Sequence, residues 1–350
     1  MSLWILLSAT LLLAIATALP LLESEKWWIR SWDFPRLQLT ILSAIVLVAA
    51  IVAEGVGSTL QNWLVAINLG ILVYQLWWIL PYTIIWKKEV KKARPGDDTK
   101  RLRILAANVL TPNKHPEKLI GQIRQHQPDI FVTLESDARW QQQLDTLTDD
   151  YPYQIKHPLD NLYGIHVYSR LKLNQPRVAF LVEDTVPSIH AEVVMKDGTP
   201  VRMHFLHPAP PSPTENEESL ERDVELLMIA KSLKHFDGPA IVAGDLNDVA
   251  WSETTRLFRK ISGLLDPRVG RGMFNTFHAD WFFFRWPLDH LFHSHHFTLV
   301  NIQRLAHMGS DHFPVLIEVQ YEGSHTDQEG LEESEGDQEK ADEKIAKVED

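Results

Sequence analysis

Hydrophobic and polar positions follow different rhythms in different parts of this chain. Residues 2–22, 37–53 and 55–86 are almost unbroken apolar runs, and the third holds no Asp, Glu, Lys or Arg in 32 residues. A helix needs roughly 17–25 residues to cross a hydrocarbon core, so each run predicts a transmembrane helix, the second at the short limit. The first run lacks a basic start and a small-x-small exit, which favours an anchor over a cleaved signal peptide. Trp27, Trp28, Trp32, Trp77, Trp78 and Trp86 lie at or near the run ends, where indole rings settle at headgroup level.

Beyond Pro95-Gly96-Asp97-Asp98 the rhythm shortens. Residues 101–110, 129–134, 163–169, 189–195, 201–206, 240–243 and 313–319 alternate or run together as strands do. Residues 115–126, 138–147, 219–236 and 252–261 read as helices, the third with Leu220, Val224, Leu227, Ile229 and Leu233 close to a 3.6 period. Residues 321–350 have no apolar rhythm. Too little apolar area there offsets the ordering entropy, so the segment is expected to be a disordered acidic tail. The predicted order is therefore three transmembrane helices over 1–86, a basic linker over 87–100, a catalytic domain over 101–320 and the tail.

Charge sharpens this division. The net charges of residues 1–100, 101–320 and 321–350 are +2, −5 and −9, and 15 of the 16 His fall in the middle segment, which is where chemistry is expected. Lys26, Arg30 and Arg36 precede the second run, and Lys87, Lys88, Lys91, Lys92 and Arg94 follow the third. Lys and Arg resist translocation, so three crossings put both basic segments, and the domain after them, in the cytoplasm. The absence of Cys excludes a disulfide scaffold, a thiolate metal site and a Cys nucleophile.

Polar residues interrupt or close apolar runs at several strand ends. Asn108 follows Ala106-Ala107, Glu135 closes Val132-Thr133-Leu134, Asp245 and Asn247 follow Val242-Ala243-Gly244, Asp289-His290 interrupts 287–292, and Asp311-His312 precedes 313–319. Carboxylates at such positions are costly unless paired, hydrogen-bonded or bound to a cation. Hard oxygen donors without a thiolate select Mg²⁺ or Mn²⁺. Taken singly, Asn108 is a turn residue, His207 a core histidine and Asp245/Asn247 an Asx turn.

Taken in order, Ala107-Asn108, Leu134-Glu135-Ser136, His207-Pro208, Gly244-Asp245-Leu246-Asn247, Pro287-Leu288-Asp289-His290 and Gly309-Ser310-Asp311-His312-Phe313-Pro314 resemble the endonuclease/exonuclease/phosphatase superfamily, with its deoxyribonuclease-I-like fold. With the apolar runs ahead of it, the chain resembles a bacterial membrane-anchored branch. The resemblance implies a four-layered α/β sandwich, two mostly antiparallel sheets flanked by helices, that hydrolyses phosphate esters with a divalent metal. It assigns Asn108, Glu135 and Asp311 to the metal. Asp245 would orient or deprotonate water, Asn247 would hold a phosphate oxygen, and His312, oriented by Asp289, would act on the phosphoryl centre. His207 would stabilise the reacting centre or protonate the leaving oxygen. Many nuclease members carry an acidic partner for this histidine before the 163–170 strand, and none is evident here.

Substrate is less determined. Tight nucleic-acid binding needs clustered Lys/Arg, and the domain is net negative. The run Trp281-Phe282-Phe283-Phe284-Arg285-Trp286 is expected as a strand buried on both faces, with insertion at a lipid interface as the alternative. His293, His295 and His296 are expected as surface imidazoles, and Arg222 as either a solvated helix residue or a phosphate contact. The expected protein is a multi-pass enzyme of a bacterial inner membrane, partnered by the bilayer and a phosphate-ester substrate (nucleic acid, nucleotide or lipid headgroup), with no obligate protein partner. Alternatives are a sphingomyelinase-like phospholipid-headgroup phosphodiesterase and a non-catalytic anchored binding module.

Overall fold

The computed structural model of the chain describes residues 3–52, 59–323 and 327–349. Helices α1 (Leu3–Ala18), α2 (Trp27–Arg30), α3 (Arg36–Val52) and α4 (Thr59–Ile79) form an N-terminal bundle. The tight turn expected over Glu54 to Thr59 lies outside the described residues except for Thr59, which begins α4. Leu3–Leu21 and Thr59–Tyr82 are long and apolar enough to cross a membrane, and Trp27–Asp33 with Arg36–Val52, bent by 67°, makes a third if counted as one span. The bundle's polar side chains face inward: the Asn68 amide donates to Thr10 Oγ1 at 2.8 Å and the Gln75 amide to Thr17 Oγ1 at 3.0 Å. Leu11, Ile45 and Val73 point outward.

The bundle meets the following domain at one end. Arg36 at the start of α3 is 3.3 Å from Gln75 near the end of α4, so those ends share a level. Beside them Tyr82 donates to the Ala250 carbonyl at 2.6 Å and the Trp251 indole to the Asp33 carbonyl at 2.8 Å.

The rest of the chain runs β1 (Arg101–Asn108), α5 (Pro116–His126), β2 (Ile130–Leu134), α6 (Ala138–Leu144), β3 (Tyr153–His157), β4 (Ile165–Ser169), β5 (Leu173–Ala179), β6 (Ser188–Val194), β7 (Pro200–Leu206), α7 (Leu220–Lys234), β8 (Ala240–Asp245), α8 (Glu253–Ser262), β9 (Asp289–His293), β10 (Phe297–Arg304), β11 (Val315–Tyr321) and α9 (Asp337–Glu349). Two mixed sheets result, in the orders β10-β11-β1-β2-β4-β3 and β5-β6-β7-β8-β9. Each holds one parallel pair, β1 with β2 and β7 with β8, and is otherwise antiparallel.

Period-two alternation explains the layers. Ile104, Val132, Met203 and Ile241 fill the space between the sheets. Leu105 and Phe131 point the other way, under α5 and α6 with Leu119, Ile123 and Trp140. Val242 and Phe292 do the same under α7 and α8 with Leu227 and Phe258. The outcome is helices, sheet, sheet, helices.

Two expectations need correction. The segment 321–350 is not a uniformly disordered tail, because Asp337–Glu349 is helical and packs on α7. Ala341 is fully buried there, and Ile345 one turn later packs against the same cluster. Lys344 pairs with buried Asp223 at 2.6 Å and Asp337 with Lys260 at 2.9 Å. Composition counts the apolar area a segment owns, but this helix borrows its partners from α7 and α8. The run 281–286 is not a buried strand either: Trp281, Phe282, Phe283 and Phe284 are exposed on a turn.

Candidate active site

The two parallel pairs place the site. Asn108 ends β1 in register with Leu134, and Glu135 follows directly; Leu206 of β7 registers with Gly244 of β8, with His207 and Asp245 the next residues of each. The carboxyl ends of one parallel pair from each sheet thus converge. Gly244 is required by the close approach: a Cβ there would lie 2.0 Å from the Leu206 carbonyl oxygen, and its φ is +148°. Glu135 and Asn247 both adopt left-handed backbone, with φ of 57° and 52°. For residues other than glycine such conformations cost about 1–3 kcal/mol each and gather where geometry matters.

One amide ties the centre together. Asn108 Nδ2 donates to Glu135 Oε1 at 2.7 Å and to Asp245 Oδ2 at 3.0 Å. On the far side of Asp245, His312 Nε2 lies 3.4 Å from the same Oδ2, while its Nδ1–H donates to Asp289 Oδ2 at 2.7 Å. His207 Nε2 stands 3.9 Å from Asp245 Oδ2 and 4.0 Å from Glu135 Oε1. The Asn247 backbone N–H donates to Asp245 Oδ1 at 3.0 Å, and its side-chain amide donates to the Pro208 carbonyl at 3.0 Å, so it tethers the His207 loop. Asp311 is half-buried beside Ser310, whose hydroxyl donates to the Asn108 carbonyl at 2.8 Å. All eight residues singled out in the sequence therefore lie together.

Burial sets the electrostatics. It pushes the Glu135 carboxyl up to about 8, with Asp311 and Asp245 adding to the rise and the Asn108 hydrogen bond opposing it. Burial likewise raises Asp245, against the pull of His312. His207 is pushed down to about 4 by burial, only partly offset by Asp245. Burial also disfavours charge on His312, but Asp289 and Asp245 outweigh it and lift the imidazole to about 10. The His312–Asp289 pair is thus a buried ion pair facing Asp245.

The donor set fits a hard divalent cation. Among the described residues, Glu135 Oε2 and Asp289 Oδ1 are buried oxygens without a hydrogen-bond partner. Asp245, Asp289 and His312 offer ligand atoms within 4.8 Å of one another. His312 already serves two carboxylates, so the carboxylate oxygens are the better ligands.

The sequence left some supports unread. Arg222 is a buried scaffold residue: it pairs with Asp223 at 2.8 Å and donates to the Asn247 carbonyl at 2.8 Å. The Thr276 hydroxyl accepts from the Asp289 backbone N–H at 3.2 Å. The Tyr163 ring lies 5.5 Å from that of His207, whose Nδ1 is without a hydrogen-bond partner among the described residues. Among the described residues no acidic side chain hydrogen-bonds it. His290, next to Asp289, faces the other side of β9 and bonds Arg268 and the Asp248 carbonyl, as strand alternation dictates. His293 and His296 are buried rather than on the surface. They bond to Ser294 through its carbonyl and its hydroxyl respectively. The signal for Arg222 was its helical spacing of four from Leu226 and seven from Ile229, both buried.

Comparison with known proteins identifies the family and the fold. The profile of the Endonuclease/Exonuclease/phosphatase family matches residues 105–312. No curated protein matches the chain. Among solved structures, D. rerio TDP2 complexed with single strand DNA product aligns with a TM-score of 0.54 at 16% identity, covering 64% of this chain and 100% of that one. The human Nocturnin catalytic domain with bound sulfate anion gives 0.53 at 18%, covering 65% and 97%. An endonuclease/exonuclease/phosphatase from Beutenbergia cavernae gives 0.54 at 19%, covering 68% and 76%. At these identities the likeness is one of fold.

Proposed function

Since the chain belongs to the Endonuclease/Exonuclease/phosphatase family, whose members are phosphoric ester hydrolases, we propose that it is a membrane-anchored, divalent-metal-dependent hydrolase of phosphate esters. The observation that carries this reading is the Asn108 amide bridging Glu135 and Asp245, with the His312–Asp289 pair against the other side of Asp245.

In this reading Glu135, Asn108 and Asp311 hold Mg²⁺ or Mn²⁺, which when bound supplies positive charge to a phosphate oxygen and offsets the crowded carboxylates. Asp245 orients the attacking water through Oδ2 while the Asn247 N–H fixes Oδ1. His312 keeps its proton because Asp289 sits on Nδ1, and it stabilises the negative charge that develops on the phosphoryl oxygens. Asn247 places the His207 loop beside the leaving oxygen. His207 has no acidic support for Nδ1, so its part is to donate a hydrogen bond through Nε2 rather than to store a proton.

The anchor reading rests on the apolar spans and on charge. The segments 23–35 and 83–94, which carry Lys26 and Arg30, and Lys87 to Arg94, both border the domain end of the bundle, so positive-inside placement puts the domain in the cytoplasm. This corresponds to a multi-pass bacterial inner-membrane protein. A substrate drawn from nucleic acid, nucleotide or lipid headgroup fits the site equally in charge.

The test uses the full chain in detergent and bis-p-nitrophenyl phosphate. Hydrolysis should require added Mg²⁺ or Mn²⁺ and stop in excess EDTA. Mg²⁺ should also raise the thermal midpoint of the native chain and leave that of Glu135→Ala unmoved. Full turnover in EDTA, or an equal Mg²⁺ shift in Glu135→Ala, would remove the metal assignment.

A further inference from the structure

The four aromatics at the tip of the loop before β9 stand out from the rest of the soluble domain. Trp281, Phe282, Phe283 and Phe284 are 62%, 72%, 77% and 55% exposed, whereas Tyr153, Leu162 and Phe180, the other exposed large apolar residues described in that domain, lie apart in sequence. Contiguous apolar surface of this kind on a water-soluble domain marks a site for lipid or protein. The turn is nonetheless well defined. The Phe284 N–H donates to the Trp281 carbonyl at 3.1 Å, and the His278 N–H to the Phe284 carbonyl at 2.9 Å.

Its position identifies the occupant. Gln38 Nε2 donates to the Phe283 carbonyl at 2.6 Å, and the Phe34 and Trp286 rings meet edge to face at 5.6 Å. Gln38 lies two residues, about 3 Å of helix rise, into α3. The tip is therefore level with the first turn of α3, and Ile41 and Leu42, in the next turn, begin that helix's exposed apolar face. Ile84 and Ile85, just past α4 at the same end of the bundle, are exposed too. The same loop reaches the catalytic centre at its other end. The Phe277 ring lies 4.9 Å from that of His312, and the Ala279 N–H donates to the Asp311 carbonyl at 2.6 Å.

We propose that Trp281–Phe284 is a bilayer-docking element, inserted into the same membrane that the apolar helices enter, which holds the Asp311–His312 rim of the site at headgroup level. Aromatic side chains favour that depth, and apolar area buried there adds to the hold of the helices. The substrates that reach the site are then phosphate esters carried at the membrane surface. The proposal rests on the anchor reading above.

The chain contains no Cys, so single-cysteine variants of the full chain take one fluorescent nitrobenzoxadiazole label each. Phe283→Cys, Ile45→Cys on the outer face of α3 and Gln142→Cys on α6 are reconstituted in phosphatidylethanolamine/phosphatidylglycerol vesicles. Lipid carrying a nitroxide deep in its acyl chain should quench the Ile45 label, lipid carrying one near its headgroup should quench the Phe283 label, and aqueous iodide alone should quench the Gln142 label. If Ile45 is quenched but Phe283 responds only to iodide or is shielded from both agents, docking is overturned while the anchor stands; the shielded result points to a protein partner. If Ile45 escapes the lipid quencher, the anchor reading falls and the proposal with it. Replacing all four aromatics by Ser should raise KM roughly tenfold, the equivalent of one apolar anchor, for a phosphate ester held on vesicles by an alkyl chain. Hydrolysis of soluble bis-p-nitrophenyl phosphate should stay unchanged. Equal effects on both substrates, or none on either, would overturn the surface-substrate claim.

Discussion

The N-terminal bundle keeps Asn68, Gln75, Thr10 and Thr17 inside and turns Leu11, Ile45 and Val73 outward, whereas the sandwich keeps Ile104, Val132, Met203 and Ile241 inside and gathers Glu135, Asp245 and Asp289 at one end of its strands. In the bundle the Asn68 and Gln75 amides each donate to a hydroxyl on another helix and Gln61 donates to the Ala50 carbonyl, although Asn68 Oδ1 keeps no partner among the described residues. An apolar exterior over polar pairs is the arrangement a hydrocarbon solvent permits, since backbone groups close within helices and side-chain amides join them. In the sandwich Glu135 and Asp289 each keep a buried oxygen without a partner among the described residues. Buried polarity thus holds helices together in one region and is gathered for chemistry in the other.

Breaking the site should have the largest effect. Asp245→Asn and His312→Ala should each lower kcat by roughly 10² to 10⁴, the range for losing a positioned base or a charge stabiliser. The thermal midpoint of Asp245→Asn should hold or rise, because a crowded buried carboxylate is replaced by an amide of the same shape. Steady-state kinetics with thermal unfolding in detergent measures both. Near-native turnover in either variant would make this end of the sandwich merely structural, like the bundle.

A smaller effect is expected where α9 docks. Burial disfavours the Asp223 carboxylate, yet Lys344 and Arg222 hold its carboxyl below the ordinary range. A depressed folded value contributes stability above the unfolded pKa, near 4, and loses it as pH falls further. Lys344→Met should therefore destabilise the protein by about 1.5–3 kcal/mol at pH 7 and by less as the medium is acidified below pH 4. Unfolding midpoints across that range test the sign; a cost that grows on acidification would refute it.

The bundle should give the smallest change. Asn68→Leu should cost about 0.6–2 kcal/mol, the range for interhelical hydrogen bonds in membranes. A double-mutant cycle with Thr10→Val should show coupling, and turnover should not move. A loss of activity comparable with Asp245→Asn would erase the contrast between the regions.

Legibility in the sequence followed burial. The strands at the centres of the sheets, β1, β2, β4, β6, β7, β8 and β11, were readable because apolar residues repeat on the face between the sheets, and in β1 and β8 on the other face too. β3, β5, β9 and β10 were not, and these are the four edges of the two sheets. An edge strand has one neighbour, so its apolar alternation weakens, and β5 even carries Pro176 and a bulge between Asn174 and Arg177.

The sequence by itself determined the apolar spans, the α/β character and which polar residues interrupt the strands, since all of these are written in local periodicity and residue type. Which of them touch was decided only by the fold. Asn108 and Asp245 are 137 residues apart, and Arg222, whose role on its helix the pattern alone left open, reaches the Asn247 carbonyl. The exposure of Phe283 and the docking of α9 depend on partners at Gln38 and Asp223, residues that no window around either segment contains. Local pattern reports what a segment can bury, and only tertiary packing supplies the surface it is buried against.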